Sequence, residues 1–295
     1  MEMEKNSLTL TVVANMTSNY SEGLGNISSI QKVFKNKKAY AIRSRESLKN
    51  AIMVQSGMYD DLQTSVDGAT QKLVTSELNA SNCRALEGGY MNTSGKANKR
   101  NSSFYLTDAI SCESFINETR FHNNLFLASN YAKTNKINLQ DNAGEAGLMP
   151  YQYEYDKSLK VYSLTIDLEM IGKDENFNEE ANKNEKEERV IAILDAVEYL
   201  HLIVKGNLDN AEPIFVVGGM SDRKTHYFEN VVKVVDENLL ITDDLKYKIK
   251  QGYKVGLLKG NNFKNELEIE RTLDPVPIST FFNTLKTEVK EYYGE

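Results

Sequence analysis

Apolar and polar residues alternate along residues 8–15, with Leu8, Leu10, Val12 and Ala14 on one side and Thr9, Thr11 and Asn15 on the other. Successive side chains of a strand point to opposite faces, so this period of two predicts a half-buried β-strand. The alternation returns over residues 159–170, where Tyr162, Leu164, Ile166, Leu168 and Met170 are separated by mostly polar neighbours. Residues 213–219 form a short apolar run bounded by Pro213 and Gly218-Gly219 and predict a third strand. Residues 227–235 and 255–260 predict two more. The spacing changes to a helical one after Ser44, whose hydroxyl is placed to cap a helix over 45–53. Leu48 and Ile52 share one face of that helix and Arg45 and Lys49 another, a pattern that also fits an ordinary amphipathic helix with solvated charges. A helix over 188–204 carries Ile191, Leu194, Val197, Leu200 or His201, and Val204 as its buried stripe, with Gly206 to end it. Residues 279–293 predict a C-terminal helix.

Two stretches interrupt this order. Residues 56–149 are rich in Asn, Ser, Thr and Gly, with short and broken periodicity, which is too long for a loop in a compact fold and predicts an inserted subdomain. Its tip is expected at 91–101, where Lys96, Lys99 and Arg100 could reach a polyanion or serve solubility alone. Residues 171–187 are polar, acidic and loop-like, a second candidate insertion. Without them the order is strand, helix, strand, helix, strand, strand. That order suits an α+β fold with a mostly antiparallel sheet, in the manner of a ferredoxin-like or RNA-recognition-type (RRM-like) module.

Charge sharpens the picture. The chain of 295 residues has a formal net charge of −7, which argues against a generic nucleic-acid binder. The charge is nevertheless segregated. Residues 1–160 hold 18 Lys and Arg against 16 Asp and Glu, and the remainder holds 17 against 26. Lys32, Lys35, Lys37, Lys38, Arg43, Arg45 and Lys49 crowd together with Glu46 as the single acid among them. No run approaches the roughly 18 apolar residues of a membrane span. The acidic N-terminus lacks a signal core, and Cys83 and Cys112 cannot build a disulfide framework. A reduced, cytoplasmic protein without a membrane partner is expected.

Enzyme motifs are largely missing: there is no GxxxxGK[ST], GxSxG or HExxH. His122, His201 and His226 lie far apart, and a core or boundary histidine is the commoner role for His201 on its helix. The acids of 167–188 show no metal-loop spacing. No catalytic residue, metal site or cofactor is therefore assigned. Gly23 and Gly25, directly after the first strand, would let backbone amides approach a phosphate, although tight turns use the same residues. Gly218-Gly219 is equally ambiguous. Beside Arg43, Arg45 and Lys49, the two loops fit a groove for a nucleic-acid backbone, with Tyr20, Tyr40, Tyr227 or Phe228 available for stacking or, equally, as core residues.

The residues Asn15, Gly25-Asn26-Ile27, Tyr40 and Ser44-Arg45-Glu46-Ser47-Leu48-Lys49 resemble the backbone subunit of type I-B CRISPR interference complexes (Cascade), the DevR-like branch of the RAMP superfamily. Gly144-Glu145-Ala146-Gly147-Leu148-Met149-Pro150 and Phe215-Val216-Val217-Gly218-Gly219 resemble it too, so the resemblance runs as ordered blocks over nearly the whole chain. It implies a hand-shaped fold. A ferredoxin-like palm would comprise 1–55 and 150–270, with a finger subdomain at 56–149, a thumb-like insertion at 171–187 and a C-terminal helix at 271–295. It also implies copies of the chain polymerising on one crRNA beside other complex subunits, and meeting target DNA through that guide. Carried onto this sequence, Asn15, Gly25, Asn26, Arg43, Arg45 and Lys49 would line the RNA channel. Gly218, Gly219, Met220 and Ser221 would form a second loop against the backbone. Acids in 174–188 are unexpected for a thumb on RNA and could instead meet a basic patch of a neighbouring copy.

Relatives in type III complexes cut target RNA with an aspartate in a palm loop. The loop here offers Glu22 and no Asp, which predicts no nuclease activity, with Asp60-Asp61 as the remaining candidate pair. Two other functions stay open: an endoribonuclease on the same superfamily fold, and a protein-interaction or regulatory scaffold that never meets nucleic acid.

Overall fold

The computed structural model of the chain describes residues 5–21, 26–93 and 97–294. Its largest sheet has nine strands among these residues: β1 (Ser7–Thr17), β2 (Lys32–Lys35), β3 (Lys38–Arg43), β4 (Phe104–Leu106), β5 (Ala109–Ser111), β6 (Lys157–Asp167), β7 (Pro213–Ser221), β8 (Lys254–Leu257) and β9 (Val276–Pro277). The order across the sheet is β9-β8-β7-β1-β6-β5-β3-β2, with β4 also on β6. Every pair is antiparallel except the last, β8 with β9. Among the described residues six α-helices accompany it: α1 (Arg45–Gln55), α2 (Leu125–Asn135), α3 (Lys183–Glu198), α4 (Asp243–Ile249), α5 (Glu266–Leu273) and α6 (Ile278–Tyr293). The fold is a mixed α+β one. No helix among the described residues is long and apolar enough to cross a membrane.

The first strand departs from the half-buried expectation. β1 lies between β6 and β7 and is buried on both faces, Asn15 alone being exposed. Leu8, Leu10, Val12, Ala14 and Met16 enter a core shared with α1, α3 and α6. The opposite side is polar yet covered, because its hydroxyls pin the chain that follows β7. Ser7 donates to the Ser221 and Arg223 carbonyls at 3.0 and 2.8 Å, and Thr9 to the Thr225 carbonyl at 3.0 Å. Burying these groups is tolerable because each is paired. On that second face, Val13, Phe215, Val217, Val255 and Leu257 pack against Phe228, Val232, Leu245, Phe263 and Ile269. The second layer sits mainly over β7 and β8 and reaches Leu159 and Val161 of β6 at its margin. Beyond that margin, over β6, β5 and β3, the face opens into a groove.

Several elements differ from expectation. The helix foreseen at 188–204 is α3, capped by the Asn182 side chain accepting from the Glu185 amide at 2.9 Å. His201–Val204 is a strand, paired with Asn207–Asn210. Lys205 and Gly206, both at positive φ, make its two-residue turn rather than a helix end. Residues 227–235 hold only the two-residue strand Val234–Val235, since the free side of β7 is already paired with β8. The Lys- and Tyr-rich stretch near 250 is α4, capped by Thr242.

The 56–149 stretch resolves into three parts. Residues 56–93 and 97–101 form a small lobe around Val74, Ala80, Cys83, Ala85, Leu86 and Tyr90. β4 and β5 then belong to the main sheet, their Phe104, Leu106 and Ala109 having been hidden among Ser and Thr. Residues 119–154 add α2 and a three-stranded sheet in which Thr119–Asn123, Pro150–Glu154 and Ile27–Ser28 pair. The acidic stretch at 171–187 is no free loop. Ile171 and Asp174 are fully buried, and Asp174 accepts from Tyr90 Oη and the Ala80 amide at 2.9 Å, tying the stretch to the small lobe.

Candidate nucleic-acid interface

The open part of the sheet is the floor of a groove of about 700 Å³. Val161 and Ser163 of β6 and Ile110 of β5 form its base. The turn of the β2–β3 hairpin and the start of α1 form one wall, and residues 226–240 the other. Asn36 and Lys37 sit at positive φ in that hairpin turn, the backbone geometry a two-residue β-turn demands. This places Lys35 at the rim. Ser44 accepts from the Ser47 amide and starts α1, which places Arg45 beside it, with the Arg45 amide held by Asp108 at 2.8 Å. Across the groove stands Lys233. All three cations are exposed. Arg45 meets Glu46 at 2.9 Å in an exposed pair, of the kind worth at most about 1 kcal/mol.

Within the groove Asp108 and Glu229 supply opposing charge. His226 Nδ1 is 2.8 Å from Thr165 Oγ1, and burial holds its imidazole below the usual value, so it is neutral at pH 7. Burial also pushes the Cys112 thiol up to about 12, which keeps it protonated and poorly nucleophilic. Such a groove can hold a polyanion by its rim and offers a neutral floor below it.

The residues expected to line a channel do not converge. Arg43 is 5 % exposed and points inward. It donates to the Thr17 carbonyl at 3.0 Å and to Ser47 Oγ at 2.8 Å, and burial pulls its guanidinium down to about 10. Lys49 turns to the other side of its helix and joins the small lobe, donating to Ser102 Oγ at 2.6 Å and the Gly88 carbonyl at 3.0 Å. Burial pulls its ammonium down to about 8. Only Arg45 of the three faces the groove. Asn15 is exposed near the end of β1, and Asn26 is exposed beside Ile27. Gly25, with Glu22 and Gly23, lies outside the described residues, as does Lys96. Arg100 is buried against Glu87 at 3.0 Å and reaches no surface.

Gly218, Gly219, Met220 and Ser221 correct a second expectation. They form no loop but the buried end of β7. Gly218 is there because a Cβ would lie 2.0 Å from the Thr9 carbonyl oxygen, so the glycine serves close strand packing. Met220 enters the helical core and Ser221 Oγ accepts from Tyr253 at 2.9 Å. His201 is exposed at the start of its hairpin strand rather than on a helix stripe. Asp61 accepts the Arg84 and Ala85 amides at 2.7 and 3.1 Å and so holds the lobe's helical turn. Sequence reading did not single out Lys233 or His226 as groove residues. The one available signal was that both sit in a polar-to-apolar stretch flanking Phe228, which anchors them.

A family model described as CRISPR-associated negative auto-regulator DevR/Csa2 matches residues 8–239. Comparison with curated proteins returns no match. Among solved structures, the chain is similar to a chain of a CRISPR RNA-guided surveillance complex in a pre-nicking state, with a TM-score of 0.61 at 10 % identity. That alignment covers 97 % of this chain and 100 % of the other. A chain of a second CRISPR RNA-guided surveillance complex aligns with a TM-score of 0.55 at 12 % identity, over 95 % and 99 % of the two chains. At these identities the likeness is one of fold.

Proposed function

The chain belongs to the CRISPR-associated DevR/Csa2 family, and from that premise we propose that it is a non-catalytic, crRNA-binding backbone subunit of a Cascade-type complex. The observation that carries this reading is the family match over residues 8–239, with a fold that aligns end to end with a chain of an RNA-guided surveillance complex. In this reading the complex is of type I-B, copies of the chain line up along one guide in the cytoplasm, and target DNA is met through that guide. The order β7-β1-β6-β5, with α1 and α3 on one face, supports reading this part as a ferredoxin-like palm. The lobe at 56–101 and the unit around α2 serve as fingers. The hairpin of His201–Val204 and Asn207–Asn210, with Ile203 and Leu208 exposed, suits a thumb better than the packed 171–187 stretch.

The groove supplies the grip. Lys35, Arg45 and Lys233 line one opening, and none is locked in a buried pair, so each can exchange solvent counterions for phosphates. The protein would then hold shape and charge while base pairing reads sequence. The test is to purify the chain alone, compare its absorbance at 260 and 280 nm, and titrate it with repeat RNA. Copurifying nucleic acid and intact RNA after incubation support the reading. A nucleic-acid-free protein with no affinity at low salt contradicts it. Cleaved RNA would contradict its non-catalytic part.

A further inference from the structure

The strands Thr119–Asn123 and Pro150–Glu154 carry a feature the groove does not use. In their antiparallel register His122 lies opposite Tyr151 and Arg120 opposite Tyr153. Opposed residues share a face, so the four side chains stand on one side of the ribbon. Their rings are nearly parallel. The His122 ring is 5.0 Å from Tyr153 at 11° and 5.5 Å from Tyr151 at 18°, and the two tyrosines are 6.4 Å apart at 18°. Tyr20 closes the row edge-on against Tyr153, with centroids 6.0 Å apart.

Aromatic rows of this sort normally lie in a core. This one does not: His122 is exposed and Tyr151 is 42 % exposed. Cations flank it. Lys205, from the turn of the neighbouring hairpin, lies 4.5 Å over Tyr20 and 5.3 Å over Tyr153. Arg120 covers the Tyr155 ring at 3.5 Å while pairing with Glu118. The nearest carboxylate of the ribbon, Glu154, is already taken by Lys32. Lys205 has no carboxylate partner among the described residues. Exposed rings beside a cation whose own contacts are the Ser28 hydroxyl and two tyrosine rings, with no carboxylate, match a ligand with flat rings on an anionic chain.

We propose that this face is a base-stacking platform for single-stranded RNA, with Tyr151 and His122 receiving bases and Lys205 the adjoining phosphate. The proposal rests on the RNA-binding reading above and adds to it a contact that depends on bases rather than on backbone charge. Stacking of this kind tolerates any sequence, because every base has a π-face.

The experiment compares binding of an oligouridine and an abasic ribose-phosphate oligomer of equal length to the full chain, at one salt concentration. Wild type should prefer the oligomer with bases. The double variant His122→Ala with Tyr151→Ala should lose roughly tenfold or more on oligouridine and nothing on the abasic oligomer. Tyr151→Phe, which keeps the ring, should behave as wild type. Both substituted side chains are on the surface, and a circular-dichroism melt matching wild type verifies the fold. If the double variant binds both oligomers as wild type does, the platform is overturned while RNA binding stands. If wild type binds neither oligomer, the functional reading falls and the platform with it.

Discussion

The joint between the small lobe and α3, and the groove on the opposite face of the sheet, are both lined with charged residues but treat them in opposite ways. In the joint, Glu87 and Arg189 are wholly buried. The Glu87 carboxylate accepts from Arg189 at 2.7 Å, Arg100 at 3.0 Å and the Gly172 amide at 2.6 Å. Arg189 also reaches the Ala80 carbonyl at 2.6 Å and Glu185 at 2.8 Å. Nearly every donor and acceptor there has a partner, which is the condition under which buried charge is tolerated. Along the groove, Lys35, Arg45 and Lys233 stand in water with little or no pairing. Cations with saturated partners hold a fold together, and cations without them are left to bind something else. Abundance of Lys and Arg in a segment does not distinguish the two.

Breaking the joint gives the largest expected effect. Glu87→Ala takes the shared carboxylate from two buried guanidinium groups and should cost about 3–5 kcal/mol in denaturant or thermal unfolding. A loss below about 1 kcal/mol would show that the joint is not what ties lobe to helix. Next comes Arg43, which lies in the basic N-terminal segment but behaves like the joint. Arg43→Ala should lower stability by about 1–3 kcal/mol through the orphaned Thr17 carbonyl, and leave RNA affinity within a factor of about two of wild type.

These two sites show what was legible in the sequence. The α1 helix, its Ser44 cap and the apolar face of β1 follow from spacing, because caps and periodicity are local. Arg43 and Lys49 sit two and four residues from Arg45 in the sequence, yet a strand end and a helix turn aim all three differently. Gly218 looked like a phosphate loop because glycine marks both mobile turns and places where two strands nearly touch. The distinction lies in Thr9, some two hundred residues away. Likewise Phe104, Leu106 and Ala109 belong to the main sheet through partners on β6 and β3 that no local pattern reveals.

Lys49 provides an intermediate effect. Its ammonium titrates near 8 in the fold because of burial, against 10.5 as the ordinary value. Between those values the unfolded chain holds the extra proton, so stability rises with pH from about 8 to about 10.5. Lys49→Met should lack that part of the rise, about 2 kcal/mol, in unfolding curves at pH 7.5 and pH 10. The smallest effect belongs to the groove's own pair. Arg45→Ala removes an exposed contact with Glu46 and should change stability by less than about 0.5 kcal/mol.

In the proposed function the groove rim is the polyanion grip. The decisive measurement is the slope of log affinity against log salt for RNA, on wild type and on the triple variant Lys35→Ala, Arg45→Ala, Lys233→Ala. Each lost phosphate contact should flatten the slope by about one, so the triple variant is expected to be shallower by about two to three. An unchanged slope, with the variant folded and still binding RNA, would place the backbone contacts elsewhere and contradict the account.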